Sequence, residues 1–190
     1  VIFNQDLNTW NVGNVTSMVA MFREAYNFNG NISNWDVGSV QSMDVMFDLD
    51  SAFNQDIGGW NTINVTSMRY MFEGATSFNQ DISGWNVSNV SDMTAVFYGA
   101  TAFNSPLNSW NVSQVDAWNF AFEEAVSFNQ PLDSWNINAN ARLDRMFFNA
   151  TSFDQSLGTW DVAGIEDMSG MLDNTGLSTA NYDATLIGWA

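Results

Sequence analysis

Phe3, Phe28, Phe53, Phe78, Phe103, Phe128 and Phe153 stand 25 residues apart, and Trp10, Trp35, Trp60, Trp85, Trp110, Trp135 and Trp160 keep the same interval. Each unit reads F-N-Q-D-[LI]-x-x-W-[ND]-V-x-x-V-x-x-M-x-x-M-F-x-x-A, and no spacer separates one unit from the next. A fixed period of this size marks units that cannot bury an apolar face alone and must stack on copies of themselves. Residues 1–190 are therefore expected to form a single solenoid domain, with repeats starting at 3, 28, 53, 78, 103, 128 and 153. Tyr182, Leu186 and Trp189 hold the mutual offsets of Phe3, Leu7 and Trp10 after an extension of four residues, which predicts a capping half-repeat over 177–190. Val1-Ile2 runs straight into Phe3 without such a device, so further chain is expected upstream.

With positions named by their place in the first unit, the apolar columns are 3, 7, 10, 12, 15, 18, 21, 22 and 25. Trp10-x-Val12 alternates as a short strand does. Val15, Met18, Met21/Phe22 and Ala25 fall three to four apart, as one face of a helix does. Asn14, Ser39, Asn64 and Asn89, followed by Thr16, Thr66 and Ser91, stand where helix N-caps are wanted. Gly74 and Gly99 fall where the helix would end in a left-handed residue. The expected fold is an α/β solenoid, leucine-rich-repeat-like, with one short parallel strand and one short helix per 25-residue turn. The Trp column should stack inside it. Trp118 in the Met column, Asn140 in the Val column and Leu172 in the Phe column are expected to disturb local regularity.

The run Leu7-Asn8-Thr9-Trp10-Asn11-Val12-Gly13-Asn14-Val15 follows the leucine-rich frame L-x-x-L-x-L-x-x-N. The whole unit, as in Phe78 to Ala102, resembles the surface-protein repeat of bacterial and mycoplasma lipoproteins known as the PARCEL type, which is related to the BspA-like leucine-rich proteins. The closing segment Leu177 to Trp189 is similar to that of secreted members. The resemblance covers essentially the whole chain. It implies an extracellular or cell-surface location and a role in adhesion or ligand binding, and it carries no catalytic residue.

A net charge of −17 with four Arg and no Lys argues against nucleic acid, whose phosphates require clustered cations. No apolar run approaches a membrane span, so no membrane insertion by this segment is expected. The absence of His, Cys and Lys removes the usual general base, thiolate and Schiff-base amine, and the chain is read as no enzyme. The acids Glu123-Glu124, Glu166-Asp167, Asp48 and Asp50 are expected on solvated helix faces. An acid-pair hydrolase would need two of them facing one another across a cleft.

The column beside the Trp, Asn11, Asp36, Asn61, Asn86, Asn111, Asn136 and Asp161, should point outward from the sheet. Two readings stand for it: a ladder of amides bonded along the coil, or a ligand surface on the open face. Asp6, Asp56 and Asp81 share another column and are either calcium ligands or turn-forming residues. Calcium is the one cofactor considered. The expected partner is a protein or polysaccharide ligand of a monomeric surface scaffold. Alternatives are a carbohydrate-binding module, with or without calcium, and a passive spacer.

Overall fold

The computed structural model describes residues 3–190, and the open start expected at Val1-Ile2 lies outside them. The 25-residue units lie one upon another as coils. Backbone N–H groups of Met68, Tyr70, Phe72 and Gly74 donate to the carbonyls of Asp92, Thr94, Val96 and Tyr98 in the next coil, at 2.7–3.0 Å. The same four columns repeat this pattern from Met18 in the first coil to Asn149 in the sixth.

The helix expected in each unit is absent. Met71, Glu73 and Ala75 turn their N–H groups back to the carbonyls of Met68, Tyr70 and Phe72, three residues earlier. The segment is a run of overlapping turns in which alternate N–H groups stay in the coil or cross to its neighbour. Column 20 (Ala20, Val45, Tyr70, Ala95, Phe120, Arg145, Gly170) is left-handed in every coil, with φ between 52° and 63°. Column 24 is left-handed as well, and includes Gly74 and Gly99 as the sequence suggested. A left-handed non-glycine residue costs about 1–2 kcal/mol and cannot sit inside an α-helix. Its N–H, however, finds a cross-coil carbonyl, as Val45 does on Arg69 at 2.7 Å.

The Trp–Val segment forms no strand either. Among the described residues the coils share single parallel bridges, linking Ser17, Ser42, Ser67, Asp92, Ala117, Arg142 and Asp167 in order. The α/β, leucine-rich-like architecture is thus corrected to a stack of turn-built coils. The reason is geometric: a spacing of three to four gathers residues on one side in an α-helix, and equally in a run of three-residue turns. Periodicity alone cannot separate the two, and the next coil's carbonyls decide. The N-cap reading is corrected with it. Ser39, Asn64 and Asn89 donate to the carbonyls of Gly13, Gly38 and Ile63 in the preceding coil.

Aromatic rings fill the interior. Column 22 stacks on column 3 at 3.8 Å between Phe47 and Phe53 and 4.1 Å between Phe72 and Phe78. Trp35, Trp60 and Trp85 lie over one another at 6.2–6.4 Å. Each buried Trp of column 10 also donates its indole N–H to the column 7 carbonyl of the preceding coil, as Trp85 does to Ile57 at 3.0 Å, whereas the buried indole N–H of Trp118 has no partner. Trp10, with no described coil below it, is 54% exposed.

The three departures are absorbed locally. Asn140 is exposed because the turn slips by one residue, so that Ala141 bonds to Asn138 and fills the Val column. Trp118 is fully buried against Trp135, in a coil that carries Ala121 where its neighbours carry a larger side chain. Leu172 packs half-buried against the core. After the last coil, α1 (Thr179–Trp189) begins at the N-cap Ser178. Trp189 donates to Leu157 at 2.9 Å, as a column 10 Trp would, while Tyr182 and Leu186 are exposed.

Candidate functional site

Column 11 is exposed along its whole length, but its side chains do not bond to one another. The side-chain oxygens of Asn11, Asp36, Asn61, Asn86, Asn111 and Asp161 each accept the N–H two residues on, at 3.0–3.3 Å. Each closes a local turn; Asn136 is exposed in the same column. Column 6 does the same work. Asp6, Asp56 and Asp81 accept from Asn8, Gly58 and Ser83 at 2.8–3.0 Å. Hydrogen bonding by Ser83 holds the Asp81 carboxyl below the usual range. The three carboxylates are not brought together: among the described residues no three acidic side chains converge as a metal cage would require.

The amide ladder lies in column 4 instead. Asn29, Asn54, Asn79, Asn104, Asn129 and Asp154 each donate a backbone N–H to the column 4 side-chain oxygen of the coil before, at 2.7–3.0 Å. Gln55, Gln80, Gln130 and Gln155 add their amides to the same oxygens. Asp154 ends the ladder by accepting from Ser178 and Asn181 of the terminal helix, which holds its carboxyl low. The signal was present in the sequence, since column 4 is Asn in six of seven units.

The chemically distinctive surface is built from columns 20 and 23. The left-handed turn at column 20 sets its side chain beside that of column 23. Tyr70, Glu73, Tyr98, Phe120, Glu123 and Arg145 line a groove of about 260 Å³ across four coils. Arg145 also borders a second hollow of about 330 Å³ with Phe148 and Asp173. Its guanidinium lies 4.3 Å from the Phe148 ring centre and 5.8 Å from that of Phe120, and it pairs with Glu123.

The expectation that these acids are solvated is corrected for Asp48, Asp50 and Glu123, all of which are buried, whereas Glu124, Glu166 and Asp167 are exposed. Column 23 turns partly inward at the last turn of each coil, and column 25 points into the core. Glu123 is 2% exposed; Arg145 holds one carboxyl oxygen and the other has no hydrogen-bond partner. Burial raises its pKa despite the cation beside it. Burial and the nearby Asp48 raise Glu73. Tyr98, between these acids, is raised by burial and by the charges of Glu124, Glu123 and Glu73. Asp48 is pushed up by burial although Arg23 bonds it at 3.0 Å. Asp50 replaces the small residue of column 25, makes no well-aligned hydrogen bond through either oxygen, and is pushed by burial to about 7 although the backbone N–H groups of Ala52, Phe28 and Phe53 nearby oppose the shift.

The family model for the Mycoplasma protein of unknown function, DUF285, matches residues 2–104 and again 80–185. The chain belongs to this family. No curated protein and no solved structure matches it. No helix among the described residues of this DUF285 chain is long and apolar enough to cross a membrane. Its repeated columns 4, 10 and 11 are largely occupied in holding coil to coil or closing turns, as are the polar residues of the more variable column 6. Columns 20 and 23 change from unit to unit and carry aromatic and charged side chains that line the groove.

Proposed function

We propose that this chain is a secreted or cell-surface binding scaffold, not an enzyme, and that it attaches to a protein or polymer through the groove of columns 20 and 23. The observation that carries this reading is the contrast between columns. Those that hold the stack barely vary, while the groove sets Tyr70, Tyr98 and Phe120 among acids at one-coil intervals. Stacked repeats present extended faces of this kind to large ligands. The resemblance to PARCEL-type and BspA-like surface repeats supports the same location and role. A carbohydrate ligand is the second reading, favoured by the groove's partly exposed tyrosines, which offer the aromatic platform that the buried Trp column does not.

The test is attachment of chain-coated beads to cell surfaces and to a glycan panel, with and without chelator. The wild-type chain is expected to attach. Tyr70→Ala/Tyr98→Ala should abolish attachment, while lysine at Asn61, Asn86 and Asn111 should leave it intact. The reverse pattern would move the site to column 11. No attachment of the wild type to any surface would leave a passive spacer and sink the binding reading.

A further inference from the structure

Resting on the binding reading above, we infer that the groove takes a guanidinium or ammonium group from a basic segment of a protein partner. The second oxygen of Glu123 is its unfilled acceptor. Three observations meet here. Glu123 is almost wholly buried, lines the groove, and has one oxygen without a donor. A buried acceptor left unpaired is costly, more so when it is charged, so a donor that reaches it is favoured. Tyr70, Tyr98 and Phe120 line the same groove, and aromatic faces attract cations within roughly 6 Å.

The molecule also supplies an example of the occupant. Arg145 lies over Phe148 and Phe120 and pairs with the other oxygen of Glu123, which is the geometry a partner's cation would adopt one coil away, toward Tyr98 and Glu73. Glu73 lines that same part of the groove, and among the described residues no cation pairs with it. A carbohydrate hydroxyl would satisfy Glu123 without neutralising it. A cation does both, and the net charge of −17 draws it in.

The probe is a fluorescent oligo-arginine peptide, titrated by anisotropy against the whole chain, with an oligo-citrulline peptide as the neutral counterpart. Oligo-arginine is expected to bind and oligo-citrulline not. Glu123→Gln should weaken binding about tenfold, the loss of one charge-assisted hydrogen bond. Asp161→Asn, which removes the same charge from column 11, should change it less than about twofold. Tyr98→Ala, at the rim, should weaken it as well, and it decides the matter should Glu123→Gln unfold. Arg145→Gln vacates the resident cation and should tighten binding several-fold, unlike Arg142→Gln, which makes the same change of net charge. Equal effects of Glu123→Gln and Asp161→Asn would reduce the interaction to bulk charge and overturn the inference. So would a failure of Arg145→Gln to tighten binding, or equal binding of oligo-citrulline. Cell or glycan attachment that persists without oligo-arginine binding would remove this inference alone and leave the scaffold standing.

Discussion

Each coil has two halves that solve the same stacking problem differently. In columns 3–15 the side chains make the cross-coil bonds: column 4 amides catch the next N–H, and the Trp indole catches a carbonyl. In columns 16–25 the backbone makes them, with four N–H groups reaching the next coil and, from the second coil on, one at column 16 reaching the coil before, as Thr66 does to Gln41, at the cost of two left-handed residues. A half whose side chains carry the bonding cannot change its residues freely. A half bonded through its backbone can, and there the aromatic rings of the groove, the buried acids and all four Arg are found. The difference shows how one repeat can hold a regular stack and still vary its surface.

The largest effect should come from breaking the first half at its centre. Trp85→Ala removes stacked rings and leaves the Ile57 carbonyl without its indole donor. A loss of about 5 kcal/mol is expected, the upper end for a buried aromatic truncated to alanine. Urea denaturation measures it. A loss below about 1 kcal/mol would mean that the Trp column does not carry the stack.

The second half should answer to pH instead. Asp50 has its pKa raised to about 7 in the folded chain, against about 4 when unfolded. Between these values the folded state keeps a proton that the unfolded state has lost. Stability therefore falls as pH rises from about 4 to about 7, and levels off above. Asp50→Ala restores the residue of Ala75 and Ala100 and should remove most of this dependence. The variant should gain about 4 kcal/mol over the parent at pH 8 and almost nothing at pH 4. Asp48, Glu73 and Glu123 are raised in the same direction and leave a smaller residual slope. Parallel stability profiles for parent and variant would show that Asp50 ionises in the fold as it does in the unfolded chain, and that burial does not raise it.

The two halves were also unequally legible. The period, the buried columns and the Trp stack follow from apolar residues recurring at 25, because burial is what repetition must produce. The turn role of Asp6, Asp56 and Asp81 was among the readings, since short acidic side chains bond their own backbone wherever they stand. The helix was misread because Met18, Met21 and Ala25 satisfy two geometries at once. Nothing local in Val45, Tyr70 or Phe120 announces a left-handed turn, which tertiary bonding imposes. The groove and Asp50 were hidden for another reason. Averaging the units into a consensus erases the residues that differ, and an Asp in a column that is mostly Ala is visible only when units are compared one with another.

The smallest effects separate two kinds of asparagine within the first half itself. Asn54 accepts from the Asn79 N–H at 3.0 Å and from the Gln80 amide at 2.9 Å, so it ties one coil to the next. The Asn86 side chain accepts only from Ser88 in its own turn, at an exposed position. Asn54→Ala takes the acceptor from the exposed Asn79 N–H and one of two acceptors from the part-buried Gln80 amide, which keeps the Asn54 carbonyl, and should cost about 1 kcal/mol. Asn86→Ala hands its donors to water and should cost about 0.5 kcal/mol. Amide exchange distinguishes them further. Asn54→Ala should unprotect the Asn79 amide and its coil interface, whereas Asn86→Ala should affect Ser88 alone. Equal costs, with exchange confined to the mutated turn in both variants, would place coil-to-coil bonding in the backbone half alone. Column 4 would then be decoration on a stack that holds without it.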